Sequence, residues 1–138
     1  MPAARAEREL LAPREDVWRF LAEPRHLSDW WPGVAAVEPD RRGFARGARW
    51  VVRRAAPGLF RDAKKPLTLL IREVDEPRRF AFHLAGERLD ALVELEPRGQ
   101  RTLARLTVDG PLVLAFRRSL PRAALERLHA LVQTGVTL

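Results

Sequence analysis

The chain has 138 residues, of which 46% are hydrophobic and 31% charged, and its formal net charge is +7. This length predicts one domain, residues 1–138, with enough apolar side chains for a core. The absence of Cys excludes disulfides and thiolate chemistry. The longest apolar runs, such as PLVLAF at 111–116, are far shorter than the roughly 20 residues that span a bilayer. The charged N-terminus lacks the apolar core of a secretion signal, so we expect a cytoplasmic protein.

The N-terminal region predicts a strand and then a helix. Residues 4–11 form a weakly alternating strand. Pro13 suits the first turn of a helix, because its missing N–H would be unpaired there anyway. Val17, Phe20 and Leu21 have the spacing of a buried helical face.

Two adjacent Trp residues close a second, shorter helix. Pro24 begins this helix, and Pro32 ends it near Trp31 because a residue before proline disfavours helical geometry. Adjacent helical side chains point about 100° apart, so Trp30 and Trp31 cannot form one flat ligand platform. We expect the pair to mark the corner between helices and sheet, with Trp31 as the ring that borders a ligand.

The middle of the chain predicts six further strands. Apolar alternation is interrupted repeatedly by Pro, Gly and charged residues, which is typical of an antiparallel meander with short turns. The predicted strands are residues 33–39, 48–55, 67–74, 79–85, 89–96 and 101–109.

Helical spacing returns at the C-terminus. Ser119 can cap a helix and Pro121 suits its first turn. The apolar residues of this helix fall on one side: Leu120, Ala124, Leu125, Leu128, Leu131 and Val132. Residues 111–118 are either an earlier turn of this helix or a separate connection, and both remain open. The order of one strand, two helices, six strands and a long helix predicts an α+β fold.

Alternation along the strands predicts the side chains that face the long helix. These would line either a packed core or a cavity. The candidate cavity-lining residues are Trp50, Val52, Phe80, Phe82, Ala91, Val93 and Leu106 from the strands, and Ala124, Leu128 and Leu131 from the helix.

The strand at 67–74 allows two arrangements. Either Leu69 and Ile71 face inward, or Leu70 and Arg72 do. In the second arrangement Leu70 and Arg72 join the candidate site, and Arg72 is a buried cation that needs a carboxylate from the protein or a ligand.

The positive charge is concentrated in one segment. Residues 40–65 hold nine basic and two acidic residues, whereas the flanking parts are close to neutral. Such a segment would attract an anionic ligand, a lipid headgroup or nucleic acid. The alternative is a solvated hairpin whose arginines reflect codon bias.

No motif for catalysis or metal binding is evident. The three His residues, His26, His83 and His129, lack metal-ligand spacing. A Gly-rich phosphate loop, a nucleophile elbow and a paired-acid signature are all missing. We therefore predict no catalytic residue, no metal ion and no cofactor.

The stretch APREDVWRFLAEPRHLSDWWPGV at 12–34 resembles the START/SRPBCC superfamily, and more narrowly its polyketide cyclase/dehydrase and lipid-transport group. The shared pattern is a Pro-started helix with a Val17-Trp18 pair, followed by a short helix that ends in Leu-x-x-Trp-Trp-x-Gly-Val. Residues 73–97 resemble the family's strand pair, and Gly110 and the terminal helix complete the match.

This resemblance implies a helix-grip fold. A seven-stranded antiparallel sheet wraps around the long C-terminal helix, and two short helices between strands 1 and 2 close one end. A cavity between sheet and helix then holds an apolar small molecule.

Three functions are consistent with these features. The first is binding, transport or sequestration of an apolar or amphipathic small molecule such as a lipid, isoprenoid, quinone or polyketide. The second is a cyclase or dehydratase, which requires an inward titratable group such as Arg72, His83 or His129. The third is surface interaction, in which the basic segment 40–65 binds nucleic acid or an anionic membrane. Of these two partners we expect weak contact with an anionic membrane and no nucleic acid. We expect a monomer or a homodimer.

Overall fold

The computed structural model describes residues 3–55, 65–110 and 118–136, and side chains as far as residue 133. The strands are β1 (Ala3–Leu10), β2 (Val34–Glu38), β3 (Arg49–Arg54), β4 (Leu67–Asp75), β5 (Arg79–Leu84), β6 (Leu89–Arg98) and β7 (Arg101–Asp109). The helices are α1 (Arg14–Leu21), α2 (Leu27–Trp30) and α3 (Leu120–Val136), with 3-10 turns at Pro24–His26 and Ala85–Glu87. The two alternatives for 111–118 fall outside the described residues, except for Arg118 in the turn before α3.

All seven strands belong to one antiparallel sheet in the order β1-β7-β6-β5-β4-β3-β2. The first strand therefore lies beside the last, with Ala4 opposite Val108 and Leu10 opposite Thr102. Thr102 is buried, and its hydroxyl donates a hydrogen bond of 2.7 Å to the carbonyl oxygen of Ala12. The predicted helix-grip α+β fold is confirmed.

The corner between α1 and β2 forms as its prolines and glycine predict. Pro13 is extended and precedes the first residue of α1. Trp30 ends α2, and Trp31 has extended backbone angles before Pro32. Gly33 then takes φ +87°, a left-handed conformation that side chains disfavour, and the chain enters β2.

Helix α3 packs with its apolar side against the sheet, and β1 and β7 are its main neighbours there. We call the side of the sheet that faces α3 the inner face. Among the described side chains of α3, the buried residues are Leu120, Pro121, Ala124, Leu125, Leu128 and Val132. The amphipathic arc that the sequence predicts is therefore the surface that packs on the sheet.

Of the two arrangements that the sequence leaves open for β4, the structure has the first, so Leu70 and Arg72 do not join the inner face. Leu69 and Ile71 are fully buried on the inner face. Leu70 is half-buried on the outer face, and the Arg72 side chain there is 57% exposed with its Nε 3.8 Å from Asp90 Oδ1. The arrangement that buries two apolar side chains prevails because burial of a guanidinium is costly without an enclosed partner.

Candidate functional site

The inner faces of β3 to β6 form a continuous apolar surface. Their side chains alternate with outer-face residues along each strand, as the pleat requires. The buried inner-face residues are Trp50, Val52, Leu67, Leu69, Ile71, Phe80, Phe82, Leu84, Leu89, Ala91, Val93 and Leu95. All strand residues that we predicted for the site, apart from Leu70 and Arg72, lie on the inner face together with Leu106 of β7.

Aromatic rings cover one part of this face, which we call the aromatic half: Trp18, Trp31, Phe44, Trp50, Phe80 and Phe82. The ring of Phe80 lies 5.8 Å from Trp18 and 5.0 Å from Phe44, both edge to face. Trp31 approaches Phe82 at 5.2 Å, again edge to face. Such geometry is favourable because the positive edge of one ring meets the negative face of another.

The rings that cover this half come from separate segments. Trp18 belongs to α1, Trp31 follows α2, and Phe44 lies in the connection between β2 and β3. The Trp50 Nε1–H fixes that connection with a hydrogen bond of 2.7 Å to the Gly43 carbonyl oxygen. Sequence analysis missed Phe44, although it is the one large apolar residue between Asp40 and Ala48.

The adjacent Trp residues have different neighbours. Their rings are nearly perpendicular, at 85° with centroids 5.5 Å apart, so they do not form a flat platform. Both are buried, and Trp31 is the one whose ring contacts Phe82 on the inner face.

Small and aliphatic residues cover the other part, which we call the helix-covered half: Ala4, Ala104, Leu106 and Val108 of β1 and β7, and Ala124 and Leu128 of α3. All are buried. The predicted site residues Leu106, Ala124 and Leu128 therefore belong to the contact between helix and sheet.

A partly enclosed ion pair lies at the edge of the apolar face. Arg54 continues the inward alternation of Trp50 and Val52, and its Nη1 lies 3.1 Å from Glu87 Oε2. The two side chains are 28% and 10% exposed, which makes this the most enclosed ion pair among the described residues. Sequence analysis missed the pair, since its members are far apart in the chain.

A cleft of about 430 Å³ reaches the core between α1 and the end of α3. Its lining residues are Ala12, Asp16, Arg19, Phe20, His26, Leu131 and Val132. Leu131, a predicted site residue, is half-buried and lines this cleft. The His26 ring stacks on Phe20 at 4.1 Å, and its Nδ1–H donates to the Phe20 carbonyl oxygen at 2.7 Å.

The titratable groups proposed for catalysis do not converge on the inner face. His83 Nδ1 lies 2.9 Å from Asp90 Oδ1, the oxygen that Arg72 also approaches, and all three residues are on the outer face. His129 is half-buried on α3. Within the described ranges, no group of three His, Asp or Glu side chains is arranged to hold a metal ion.

The sheet and its long C-terminal helix define the class of helix-grip proteins. The family model for polyketide cyclase / dehydrase and lipid transport matches residues 1–135, and the chain belongs to this family. This confirms the resemblance seen in the sequence. No helix in the part of the chain that the structure describes has the length and apolar character to cross a bilayer.

Solved structures share the fold over nearly the whole chain. TTHA0849 from Thermus thermophilus is 24% identical with a TM-score of 0.68, over 97% of this chain and 99% of that one. The Aha1 dimer from Colwellia psychrerythraea is 15% identical with a TM-score of 0.73, over 98% of each chain. Norcoclaurine synthase from Thalictrum flavum, solved with a transition-state analogue, is 18% identical with a TM-score of 0.69, over 98% of this chain and 96% of that one. No curated protein sequence matches this chain.

Proposed function

We propose that the protein binds an apolar or amphipathic small molecule, such as a lipid, isoprenoid, quinone or polyketide, between the inner face of the sheet and α3. The observation that carries this proposal is the continuous apolar inner face of β3 to β6. The main sheet neighbours of helix α3 are β1 and β7. The apolar face of β3 to β6 therefore extends beyond the strands on which the helix packs. The family's description, which joins lipid transport and polyketide chemistry, supports the same ligand class.

Ala91 is the centre of the proposed contact surface. It lies opposite Phe82 on β5 and opposite Val108 on β7, between the aromatic half and the helix-covered half. It has the smallest side chain among the buried inner-face residues of β3 to β6. The proposed ligand contacts Ala91 and Val93 along β6, Phe82 and Trp31 on one side, and Leu128 on the other.

Affinity in such a site comes from burial of apolar area. Roughly 300 Å² of ligand surface contributes about 7.5 kcal/mol at ~25 cal/mol per Å². Part of this gain offsets the lost translational and rotational freedom of the ligand. We therefore expect ligands with long or polycyclic apolar bodies to bind, and small fragments to bind weakly.

An amphipathic ligand also needs a place for its polar end. The Arg54–Glu87 pair supports this part of the proposal, because it brings two charged side chains to the edge of the apolar face. A carbonyl or hydroxyl group at that edge can accept from the guanidinium or donate to the carboxylate. Arg72 cannot contact the polar end of the ligand, because it lies on the outer face. We therefore assign that contact to the Arg54–Glu87 pair.

Native mass spectrometry of the purified protein, followed by a panel of lipids, quinones and polyketides, tests the proposal. We expect a bound small molecule that survives gentle ionisation and is recovered by organic extraction. Substitution Ala91→Phe should lower retention of that molecule at least about tenfold, because the ring occupies ligand volume. Substitution Leu92→Phe adds the same ring to the next residue, on the outer face, and should leave retention unchanged.

The proposal is contradicted if no ligand is retained. A packed interior would retain no ligand from any member of the panel, and Ala91→Phe would then cost about 1–3 kcal/mol of stability through overpacking. That outcome would show that the inner face is a core only.

The cyclase or dehydratase alternative has less support. Its two outer-face candidates, Arg72 and His83, are separated from the proposed ligand by the sheet itself. Binding without chemistry is therefore our preferred function. We propose that it takes place in the cytoplasm, by a monomer or by a homodimer such as the Colwellia Aha1 protein forms.

A further inference from the structure

The outer face of β3 and the connection before it form a basic surface. We define it by Arg41, Arg46, Arg49, Val51 and Arg53, all of which are exposed. Val51, at 36% exposure, is the exposed large hydrophobic residue of the described chain. The basic surface thus contains four of the nine basic residues in segment 40–65.

The backbone of β3 sets the geometry of this surface. Arg49, Val51 and Arg53 alternate with Trp50 and Val52, which are buried on the inner face. At about 3.3 Å per residue, the two arginines of β3 stand roughly 13 Å apart with Val51 between them.

The connection before β3 carries two more exposed arginines, Arg41 and Arg46. The Asp40 carboxylate accepts hydrogen bonds from the backbone N–H groups of Arg42, Gly43 and Arg49 at 3.0, 3.3 and 2.9 Å. This holds the neighbouring Arg41 beside the start of β3. The Asp40 carboxylate thereby serves backbone donors and not a guanidinium.

The arginines of the basic surface differ from most others on the sheet, although Arg5 and Arg8 of β1 also lack an ion pair among the described residues. In the described ranges Arg41, Arg46, Arg49 and Arg53 have no carboxylate within ion-pair distance. By contrast, the guanidinium groups of Arg79 and Arg101 lie 2.9 and 3.2 Å from Glu73 and Glu9. The basic surface therefore has charge available for an external anion.

Two acidic side chains, Glu38 and Asp40, border this surface without cancelling its charge. Glu38 of β2 lies opposite Val51 and is exposed. Together Glu38 and Asp40 leave the four arginines with a net positive potential.

We propose that this basic surface docks the protein on an anionic lipid surface. Guanidinium groups form paired hydrogen bonds with phosphate oxygens, and a row of them suits a plane of headgroups. Val51 between the arginines fits the boundary between headgroups and acyl chains, whereas phosphates of a duplex offer it no apolar partner. The described part of the surface also presents no aromatic ring on which a base could stack, since Trp50 points inward.

Vesicle sedimentation of the full chain tests this docking. We expect binding at low salt to vesicles of phosphatidylcholine with an equal part of phosphatidylglycerol, and none to phosphatidylcholine alone. Raising the salt concentration should release the protein, because the attraction is screened beyond about 10 Å. The double substitution Arg49→Gln, Arg53→Gln should weaken partitioning about 30-fold, from the usual contribution of a basic residue near an anionic leaflet.

A matched control removes the same charge elsewhere. Arg122 and Arg127 are exposed on α3, away from β3, and Arg122→Gln with Arg127→Gln should leave partitioning within about twofold of the parent. Equal loss in both double variants would overturn the proposal, since net charge alone would then explain binding. So would binding to duplex DNA that the β3 variant abolishes while anionic vesicles fail to bind. Docking requires no ligand in the interior, so failure of the binding function leaves this test intact.

Discussion

The two halves of the inner face are covered by different means. In the helix-covered half one continuous element, α3, packs on β1 and β7, and the buried Ala4, Ala104 and Ala124 are small enough for the helix to approach the strands. In the aromatic half three rings from three segments, Trp18, Trp31 and Phe44, are brought together over the sheet. A cover made of separate segments can open in parts, whereas a helix moves as a unit. The helix-covered half is therefore closed by one element, and the aromatic half by three separate ones.

The largest effect should come from the helix-covered half. Leu128 is fully buried on α3, so Leu128→Ala should lower the free energy of unfolding by about 4 kcal/mol through lost burial and the cavity left behind. Leu131→Ala removes the same atoms from a half-buried position and should cost about 1–2 kcal/mol. Urea unfolding followed by circular dichroism measures both. Equal costs would mean that the contact of Leu128 with the sheet is packed no better than the half-buried position of Leu131.

A smaller effect sharpens the description of the aromatic half. A double-mutant cycle with Trp31→Leu and Phe82→Leu should give a coupling energy of about 1 kcal/mol, the usual value for an edge-to-face pair. The same cycle between Trp31 and Leu106, on the other half, should give a value near zero. A large coupling across the two halves would show that they behave as one core.

The smallest effect concerns the connection that carries Phe44. Hydrogen bonds from backbone N–H groups, above all that of Arg49, hold the pKa of Asp40 below its ordinary value of 3.8. Their stabilising contribution is therefore complete above that value and is lost as the pH falls through the lower folded-state pKa. We expect a small acid-dependent change in Trp50 fluorescence that Asp40→Asn abolishes. A change that persists in the variant would assign it to another carboxylate.

Sequence patterns predicted the inner faces of β5 to β7 because each alternates cleanly between apolar and polar residues. They left β4 undecided, because Leu69 and Leu70 are adjacent and both alternations contain leucine. Only the pairing with β3 and β5 selects the face that keeps Arg72 in water.

Features of the site that depend on contacts between distant residues could not be predicted from the sequence. Phe44 stands among charged residues in a turn, and its partial burial depends on Trp18 and Phe80, which lie far away in the chain. The Arg54–Glu87 pair likewise joins the end of β3 to the turn after β5. Contacts of this kind require the sheet order, which alternation within a single strand does not contain.

The pairing of β1 with β7 has a consequence for the synthesis of the chain. Ala4 pairs with Val108 and Leu10 pairs with Thr102. Among the seven strands, β1 is therefore synthesised first, and its partner β7 is synthesised last. Throughout elongation the backbone donors and acceptors of β1 have no partner strand of their own. A nascent chain in this condition is open to pairing with another chain, and its exposed time depends on how quickly residues 101–109 are translated. A slow codon run before that stretch should therefore lower the yield of folded protein more than one placed after it.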